Sequence, residues 1–166
     1  MFTKSKRGGG LVEETDTSLA AKFLEAGMGF GQGGSVLFHP LEAAYLAKIG
    51  KTSFESFASA EKFAAAQEKK HRGFGFAFAV YFSIRKTGRL ARPYAKEKDY
   101  FRVYAPGVGR LEQRPQQLVF LHPGKVPSLR ILGEQVKIAH LARLDLIVAC
   151  GTEKEIKFYK VSAFNF

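Results

Sequence analysis

Cysteine and tryptophan are nearly missing from the chain, which has one cysteine, Cys150, and no tryptophan. A single cysteine cannot form a disulfide within the chain or a cysteine zinc cluster, which fits a reducing compartment. No apolar run approaches the roughly 18 residues that a membrane span needs. The start of the chain, MFTKSKRGGG, has basic residues without an apolar run behind them, so it does not resemble a signal peptide. These absences predict a cytoplasmic protein with no membrane contact.

The chain nevertheless has enough apolar residues to form a substantial core. It has 166 residues, of which 46% are hydrophobic and 13% aromatic, and 16 of the aromatic residues are phenylalanine. This length suits one domain of ordinary size or two small ones. The composition therefore predicts a folded, phenylalanine-rich protein.

Positive charge is concentrated in the second half of the sequence. Residues 1–72 have 10 Lys and Arg against 8 Asp and Glu, a net charge of +2, while residues 73–166 have 16 against 7, a net charge of +9. Such a basic half is typical of a polyanion-binding domain attached to a scaffold. A solvated domain with a high pI would have the same charge, and charge alone does not separate the two.

The sequence predicts a small N-terminal domain at residues 15–72, preceded by a flexible start at residues 1–14. Asp16 is placed to cap a helix that Gly27 ends. A short strand then precedes a helix with Pro40 in its first turn and Gly50 at its end, and a further helix covers about 58–70. The stretch GMGFGQGGS lacks the features of a phosphate loop or a dinucleotide fingerprint, so a flexible loop is expected there.

The C-terminal domain is predicted at residues 73–166 and alternates helices with strands. We expect a helix from about residue 75, strands at 99–104 and 117–122, a helix within 127–143, and strands at 146–150 and 156–161. The predicted fold class is α/β, with a small α/β N-terminal domain and a C-terminal domain whose central mixed sheet is flanked by helices.

Several motifs together resemble the archaeal tRNA-splicing (tRNA-intron) endonuclease family. They are VLFHPLEAAYLAKIGK, YFSIRKTGRLAR, DYFRVYAPG and KIAHLARLDLIVAC followed by EIKFYKV. The similarity extends from about residue 36 to the C-terminus in the order of the family. It implies a nuclease-like C-terminal domain, precursor tRNA cut at a bulge-helix-bulge, assembly through the final strands into a tetramer, and no metal or cofactor.

The resemblance also implies a catalytic triad, of which this chain retains one position. RNA cleavage by 2′-hydroxyl attack needs a base, an acid and a cation near phosphorus, and the family is associated with Tyr, His and Lys for these tasks. Tyr104 matches the tyrosine, but Arg114 stands at the histidine position and Leu144 at the lysine position. Arginine stays protonated and leucine is uncharged. The chain is therefore expected to be a non-catalytic, structural subunit that needs a catalytic paralogue in an α₂β₂ complex.

Two interface elements follow from the resemblance. The loop GTEKE, with Glu153 and Glu155, matches the acidic loop that docks into a subunit of the opposite pair; a solvated hairpin turn is the alternative. The final strand, with Ile156, Phe158 and Val161, matches the strand that pairs between subunits. An apolar strand at an edge needs a partner, whereas an interior strand would not.

Candidate RNA contacts are basic residues in the second half of the chain. Lys137 matches an arginine that the family uses to hold a bulged base, although lysine lacks the planar stacking surface. A basic cluster could contact phosphates or form a solvated helix end, and its members are Arg85, Lys86, Arg89 and Arg92. His39 is expected at a helix start, and His140 is expected to be structural.

Three other functions agree with parts of the sequence. Asp145 with the Glu155-Ile156-Lys157 element would suit a magnesium-dependent nuclease. The basic half would also suit an RNA-binding module without a nuclease partner, although no ribonucleoprotein aromatic motif or Gly-x-x-Gly clamp is present. A still-active enzyme that takes a histidine from elsewhere in the chain is the third.

Overall fold

A computed structural model describes residues 1–4, 11–14, 16–32, 35–93, 99–106 and 114–162. These residues form two compact units, one ending at Phe78 and one beginning at Ala79. Each unit combines helices with its own sheet, which confirms the predicted mixed α/β fold class. The predicted domain boundary after residue 72 lies between the third and fourth helices. No helix in the described ranges is long and apolar enough to cross a membrane.

The first unit contains a four-stranded antiparallel sheet in the order β1-β2-β4-β3. Its strands are β1 (Phe2–Lys4), β2 (Val12–Glu14), β3 (Phe30–Gln32) and β4 (Ser35–Phe38). The predictions of a flexible start and a flexible glycine-rich loop are wrong for β1, β2 and β3. Phe2 is only 1% exposed and packs against Phe38 with 5.1 Å between ring centroids. Burial of such apolar side chains orders strands too short to show a periodic pattern.

Three helices of the first unit begin at local capping residues. They are α1 (Thr17–Glu25), α2 (Pro40–Lys48) and α3 (Ala60–Lys70). The Leu19 amide donates to Asp16 Oδ1 at 3.0 Å, and the Leu41 amide donates to His39 Nδ1 at 3.2 Å. These contacts confirm the predicted helix starts, because capping depends on adjacent residues.

Phenylalanine dominates the core of the first unit, as the composition predicts. The Phe54 and Phe63 rings stack with 4.2 Å between centroids, and Phe57 meets Phe63 edge-on at 5.2 Å. Phe63 in turn contacts Phe74 at the start of the next helix. A continuous aromatic cluster therefore joins β1, α3 and the helix that follows.

The second unit contains a five-stranded sheet in the order β5-β6-β7-β8-β9. Helix α4 (Phe74–Lys86) leads into this unit, and α5 joins β7 to β8. The remaining elements are β5 (Ala91–Pro93), β6 (Tyr100–Val103), β7 (Gln117–Pro123), α5 (Leu129–Leu141), β8 (Asp145–Gly151) and β9 (Ile156–Val161). Strands β7 and β8 are parallel and the other neighbours antiparallel, so the sheet is mixed as predicted.

Helix α5 covers one face of this sheet. A buried cluster joins Ala139 of α5 to strand residues Leu118, Phe120, Leu146 and Val148. On the opposite face, Tyr81 of α4 meets Phe101 edge-on at 5.8 Å. Both faces of the central strands are thus covered, which matches the predicted sheet flanked by helices.

Candidate functional site

A basic groove lies at the end of the sheet where the parallel strands β7 and β8 begin. It has a volume of about 840 Å³. The described residues that line it are Arg89, Arg114, Pro115, Gln116, Gln117, His140, Arg143, Leu144 and Asp145. The groove therefore combines the start of two strands with the end of α5.

The parallel pairing of β7 with β8 brings Arg114 and Leu144 into this groove. Gln117 is opposite Asp145 in the strand register, and the Asp145 amide donates to the Gln116 carbonyl at 3.0 Å. Arg114 precedes β7 and Leu144 precedes β8, so both lie at the same edge of the sheet. The two positions at which the sequence departs from the triad thus line one groove.

Helix α5 ends at the groove in a Schellman motif. The Arg143 amide donates to the His140 carbonyl and the Leu144 amide to the Ala139 carbonyl, each at 2.9 Å. Arg143 stands at the position that glycine usually occupies, with φ of 56°. This turn orients Leu144 toward the buried α5 cluster and leaves His140 and Arg143 exposed in the groove.

Tyr104 is a buried residue at the end of β6 and is not among the described residues that line the groove. Its amide donates to the Leu90 carbonyl at 2.9 Å. The guanidinium carbon of Arg92 lies 5.3 Å from the centre of its ring, within the range of a cation–π contact. The side chain is only 8% exposed, so its ring serves as a packing surface.

Arg92 differs from the other arginines of the predicted basic cluster. Its Nε and Nη2 atoms are buried and have no hydrogen-bond partner among the described residues. The ring of Tyr104 is one neighbour of its guanidinium group. Arg92 thus contacts an aromatic ring, and its contact with phosphate stays a prediction.

The predicted basic cluster separates into residues with different surroundings. Arg89 lines the groove, and its Nη1 donates to Gln117 Oε1 at 3.0 Å. Arg85 Nη1 donates to the Arg89 carbonyl at 3.5 Å, and Lys86 lies over the Phe82 ring at 5.1 Å. Of the four predicted residues, only Arg89 is among the described residues that line the groove. Lys137 is exposed on α5 and also lies outside that lining.

The predicted acidic loop forms a tight hairpin between β8 and β9. The Thr152 amide donates to the Glu155 carbonyl at 2.9 Å, and the Glu155 amide to Thr152 Oγ1 at 3.2 Å. Glu153 and Glu155 are exposed. Glu155 also pairs with Lys157 at 3.1 Å, and this hydrogen bond and charge raise the pKa of Lys157. Exposed carboxylates in a fixed turn suit both docking and a solvated hairpin.

The final strand, β9, is at the edge of the five-stranded sheet. The alternative of an interior strand is therefore wrong. Phe158 and Tyr159 are 43% and 42% exposed and lie on opposite faces, while Ile156 and Val161 at its ends are half-buried. An edge strand with aromatic side chains exposed on both faces favours pairing with another chain.

The strand register separates the residues of the magnesium-nuclease alternative. Asp145 begins β8, whereas Glu155 immediately precedes Ile156, which is paired with Gly151 at the other end of β8. Six steps along a strand correspond to about 20 Å. Asp145 and Glu155 cannot bind one cation from these positions. Among the described residues, no group of three acidic, histidine or cysteine side chains could hold a metal ion.

Sequence reasoning missed the meeting of His140, Arg143 and Arg89 in one groove. Their positions in the sequence give no sign of this, because the groove depends on the parallel pairing of β7 and β8. The one partial signal was the stretch HLARLD at residues 140–145, which places polar residues at a helix end directly before a buried strand. No protein-family model matches the chain, and comparison with curated proteins also gives no match.

Proposed function

We propose that the chain is a non-catalytic, structural subunit of a tRNA-splicing endonuclease. It would act in the cytoplasm with a catalytic paralogue, as an α₂β₂ complex, on precursor tRNA with a bulge-helix-bulge. The observation that carries the proposal is the groove shared by Arg114 and Leu144. Two positions assigned to one active site by the resemblance are distant in sequence but line the same groove, as that assignment requires.

The chemistry of these two side chains supports a structural task. Arginine cannot release a proton at neutral pH, so Arg114 cannot act as the general acid. Leu144 has no charge to stabilise the phosphorane-like transition state. The loss of either contribution typically lowers the rate by roughly 10²–10³-fold. Tyr104 retains the phenol, but it is buried against Arg92.

The exposed edge of β9 supports assembly with a second chain. Its aromatic residues Phe158 and Tyr159 flank a strand edge that is unpaired among the described residues. A strand from another subunit would satisfy the backbone groups of this edge and cover both rings. The exposed Glu153 and Glu155 at the adjoining turn would add an acidic contact.

The test is cleavage of precursor tRNA by the purified chain, alone and after mixing with a catalytic paralogue from the same cells. A chelator is present throughout, so that contaminating metal-dependent nucleases are inactive. We expect no cleavage by the chain alone, and cleavage together with a mass near that of two copies of each chain in the mixture. Metal-independent cleavage by the chain alone would contradict the proposal.

One observation favours a second candidate, an active enzyme with a borrowed histidine. His140 lines the same groove as Arg114 and is exposed. A histidine there could transfer a proton that arginine cannot. The same assay with His140→Gln separates the two candidates, since cleavage by the chain alone that disappears in this variant would establish the borrowed histidine.

A further inference from the structure

The groove has an excess of fixed positive charge. Three arginines line it, Arg89, Arg114 and Arg143, and among the described lining residues Asp145 is the one carboxylate. Asp145 Oδ2 accepts a hydrogen bond from Lys160 Nζ at 2.8 Å, which compensates its charge. The described ion pair of Asp145 is thus with Lys160 rather than with one of the three arginines.

The backbone at Arg143 indicates that its side chain serves something other than folding. A φ of 56° in a helix-ending turn is the conformation for which glycine is best suited. A side chain at such a position strains the backbone, and strained residues cluster at binding sites. The turn uses only the backbone atoms of Arg143, and Arg143 is among the residues that line the groove.

Arg89 is held in the groove by a partner on the sheet. Its Nη1 donates to Gln117 Oε1, and Gln117 begins β7. This bond fixes one edge of the guanidinium and reduces the entropy lost when a ligand binds. Arginine is suited to this task because its planar fork binds phosphate oxygens in pairs.

We propose that this groove binds a phosphate monoester, such as the terminal phosphate of an RNA strand or of a free nucleotide. A monoester has a charge of about −1.5 to −2 near neutral pH, whereas an internal phosphodiester has a single negative charge. Three guanidinium groups match the more highly charged group better. Leu144 and Pro115 add apolar surface for the attached sugar or base, and His140 adds a ring N–H donor.

This proposal is independent of the proposed endonuclease subunit, in which the equivalent site would face an internal phosphodiester. The chain could bind a terminal phosphate without any catalytic paralogue. Absence of assembly with a paralogue would therefore leave the groove proposal intact. Conversely, a groove that ignores terminal phosphates would leave the subunit proposal intact.

The experiment measures binding of paired ligands to the full chain by fluorescence anisotropy and by competition. One pair is a short unstructured RNA with either a 5′-phosphate or a 5′-hydroxyl, and a second pair has the same difference at the 3′ end. Adenosine monophosphate and adenosine compete in a third arm. We expect phosphorylated ligands to bind about tenfold more tightly than their unphosphorylated counterparts. Equal affinities within all three pairs would overturn the proposal, and the arm with the largest ratio identifies the source of the phosphate.

Variants of groove residues test whether the preference for phosphorylated ligands arises from this groove. Arg143→Gly removes a guanidinium and relieves the left-handed backbone, so the preference should fall severalfold while the melting temperature stays the same or rises. Arg114→Gln gives a second test at an exposed position before β7. Arg130→Gln is the matched control, because Arg130 is 90% exposed near the start of α5, outside the groove lining. An unchanged preference in both groove variants, or an equal loss in the control, would overturn the assignment.

Discussion

Arg92 lies over the ring of Tyr104, with 5.3 Å between its guanidinium carbon and the ring centroid. The two residues are on neighbouring parts of the sheet, at β5 and just after β6. Two guanidinium nitrogens of Arg92 are buried without a hydrogen-bond partner among the described residues, and the ring gives this charge a cation–π contact. We therefore expect the aromatic ring of Tyr104 to matter more for stability than its hydroxyl group.

This relationship predicts a difference between two substitutions of Tyr104. Tyr104→Phe retains the ring, and we expect it to change the free energy of unfolding by less than about 1 kcal/mol. Tyr104→Ala should destabilise the chain by about 3–5 kcal/mol, because it leaves a cavity and an uncovered guanidinium. Denaturant unfolding measures both changes. In a reconstituted endonuclease, Tyr104→Phe should also leave the rate of precursor cleavage unchanged, and a large loss of rate would contradict the structural-subunit proposal.

Substitutions in the edge strand β9 are expected to impair assembly with another chain without unfolding the chain itself. Phe158→Lys combined with Tyr159→Lys places charge on both faces of the strand, where the two rings are exposed. We expect loss of the proposed α₂β₂ complex, because charged side chains on an edge oppose pairing. Light scattering of the mixture with the catalytic paralogue measures the mass, and the melting temperature of the isolated chain should change little.

Leu129→Lys is the control for this assembly test. Leu129 is 87% exposed at the start of α5, so its substitution adds the same charge to an exposed apolar position away from β9. The complex should form normally with this variant. Complex formation by the β9 variant, or its loss in both variants, would remove the strand edge as the interface.

His39 predicts a dependence of stability on pH. Burial, with a smaller contribution from the charge of His71, lowers the pKa of His39 to about 4. Between this value and the ordinary pKa of about 6.5, the unfolded chain binds a proton that the folded chain does not. The stabilisation is therefore complete above pH 6.5 and is lost as the pH falls toward 4, by up to about 3 kcal/mol.

His39→Asn tests this dependence, because asparagine retains an acceptor for the capped Leu41 amide and does not titrate. The free energy of unfolding, measured in urea from pH 4 to 7, should depend less on pH in the variant than in the original chain. The difference between the two curves isolates His39 from the carboxylates, which contribute equally to both. Parallel curves would show that His39 is not responsible.

The surroundings of Gly151, at the end of β8, predict that a side chain there destabilises the β8–β9 hairpin. A Cβ at Gly151 would lie 2.2 Å from the Glu155 carbonyl oxygen, and its φ is 117°. Gly124 also has a positive φ, 97°, but a Cβ there would meet no atom within 4 Å. We expect Gly151→Ala to destabilise the chain by roughly 2 kcal/mol more than Gly124→Ala, because only Gly151 adds a clash to the backbone strain. Similar melting temperatures for the two variants would contradict this expectation.

Elements whose signals are local could be predicted from the sequence. Asp16, His39 and Pro40 mark helix starts through atoms only a few residues away, and the central strands β7 and β8 contain apolar runs. By contrast, β1 and β2 are three-residue strands whose order depends on burial of Phe2 and Val12. No short pattern contains that information, so tertiary contacts decide these strands.

The same contrast between local signals and tertiary contacts applies to the residues of the candidate site. Arg114 and Leu144 could be singled out from the sequence only through the family resemblance, since they stand where the family has its histidine and lysine. The approach of Arg89, His140 and Arg143 to them depends on which strands are neighbours and in which direction they run. The positive φ of Arg143 could not be predicted either, because arginine, unlike glycine, does not indicate a left-handed backbone conformation.

The parallel pairing of β7 and β8 has a consequence for the order of folding. Parallel neighbours cannot be joined by a tight turn, so the chain crosses over through α5, and we expect this pair to close more slowly than a hairpin. The β8–β9 hairpin, by contrast, closes through a short local loop. Substitutions that loosen Ala139 against β8 should therefore slow refolding, because this contact is expected to form at the rate-limiting step. Stopped-flow chevron measurements would show this as a lower folding rate, and the basic groove is expected to form only at this step.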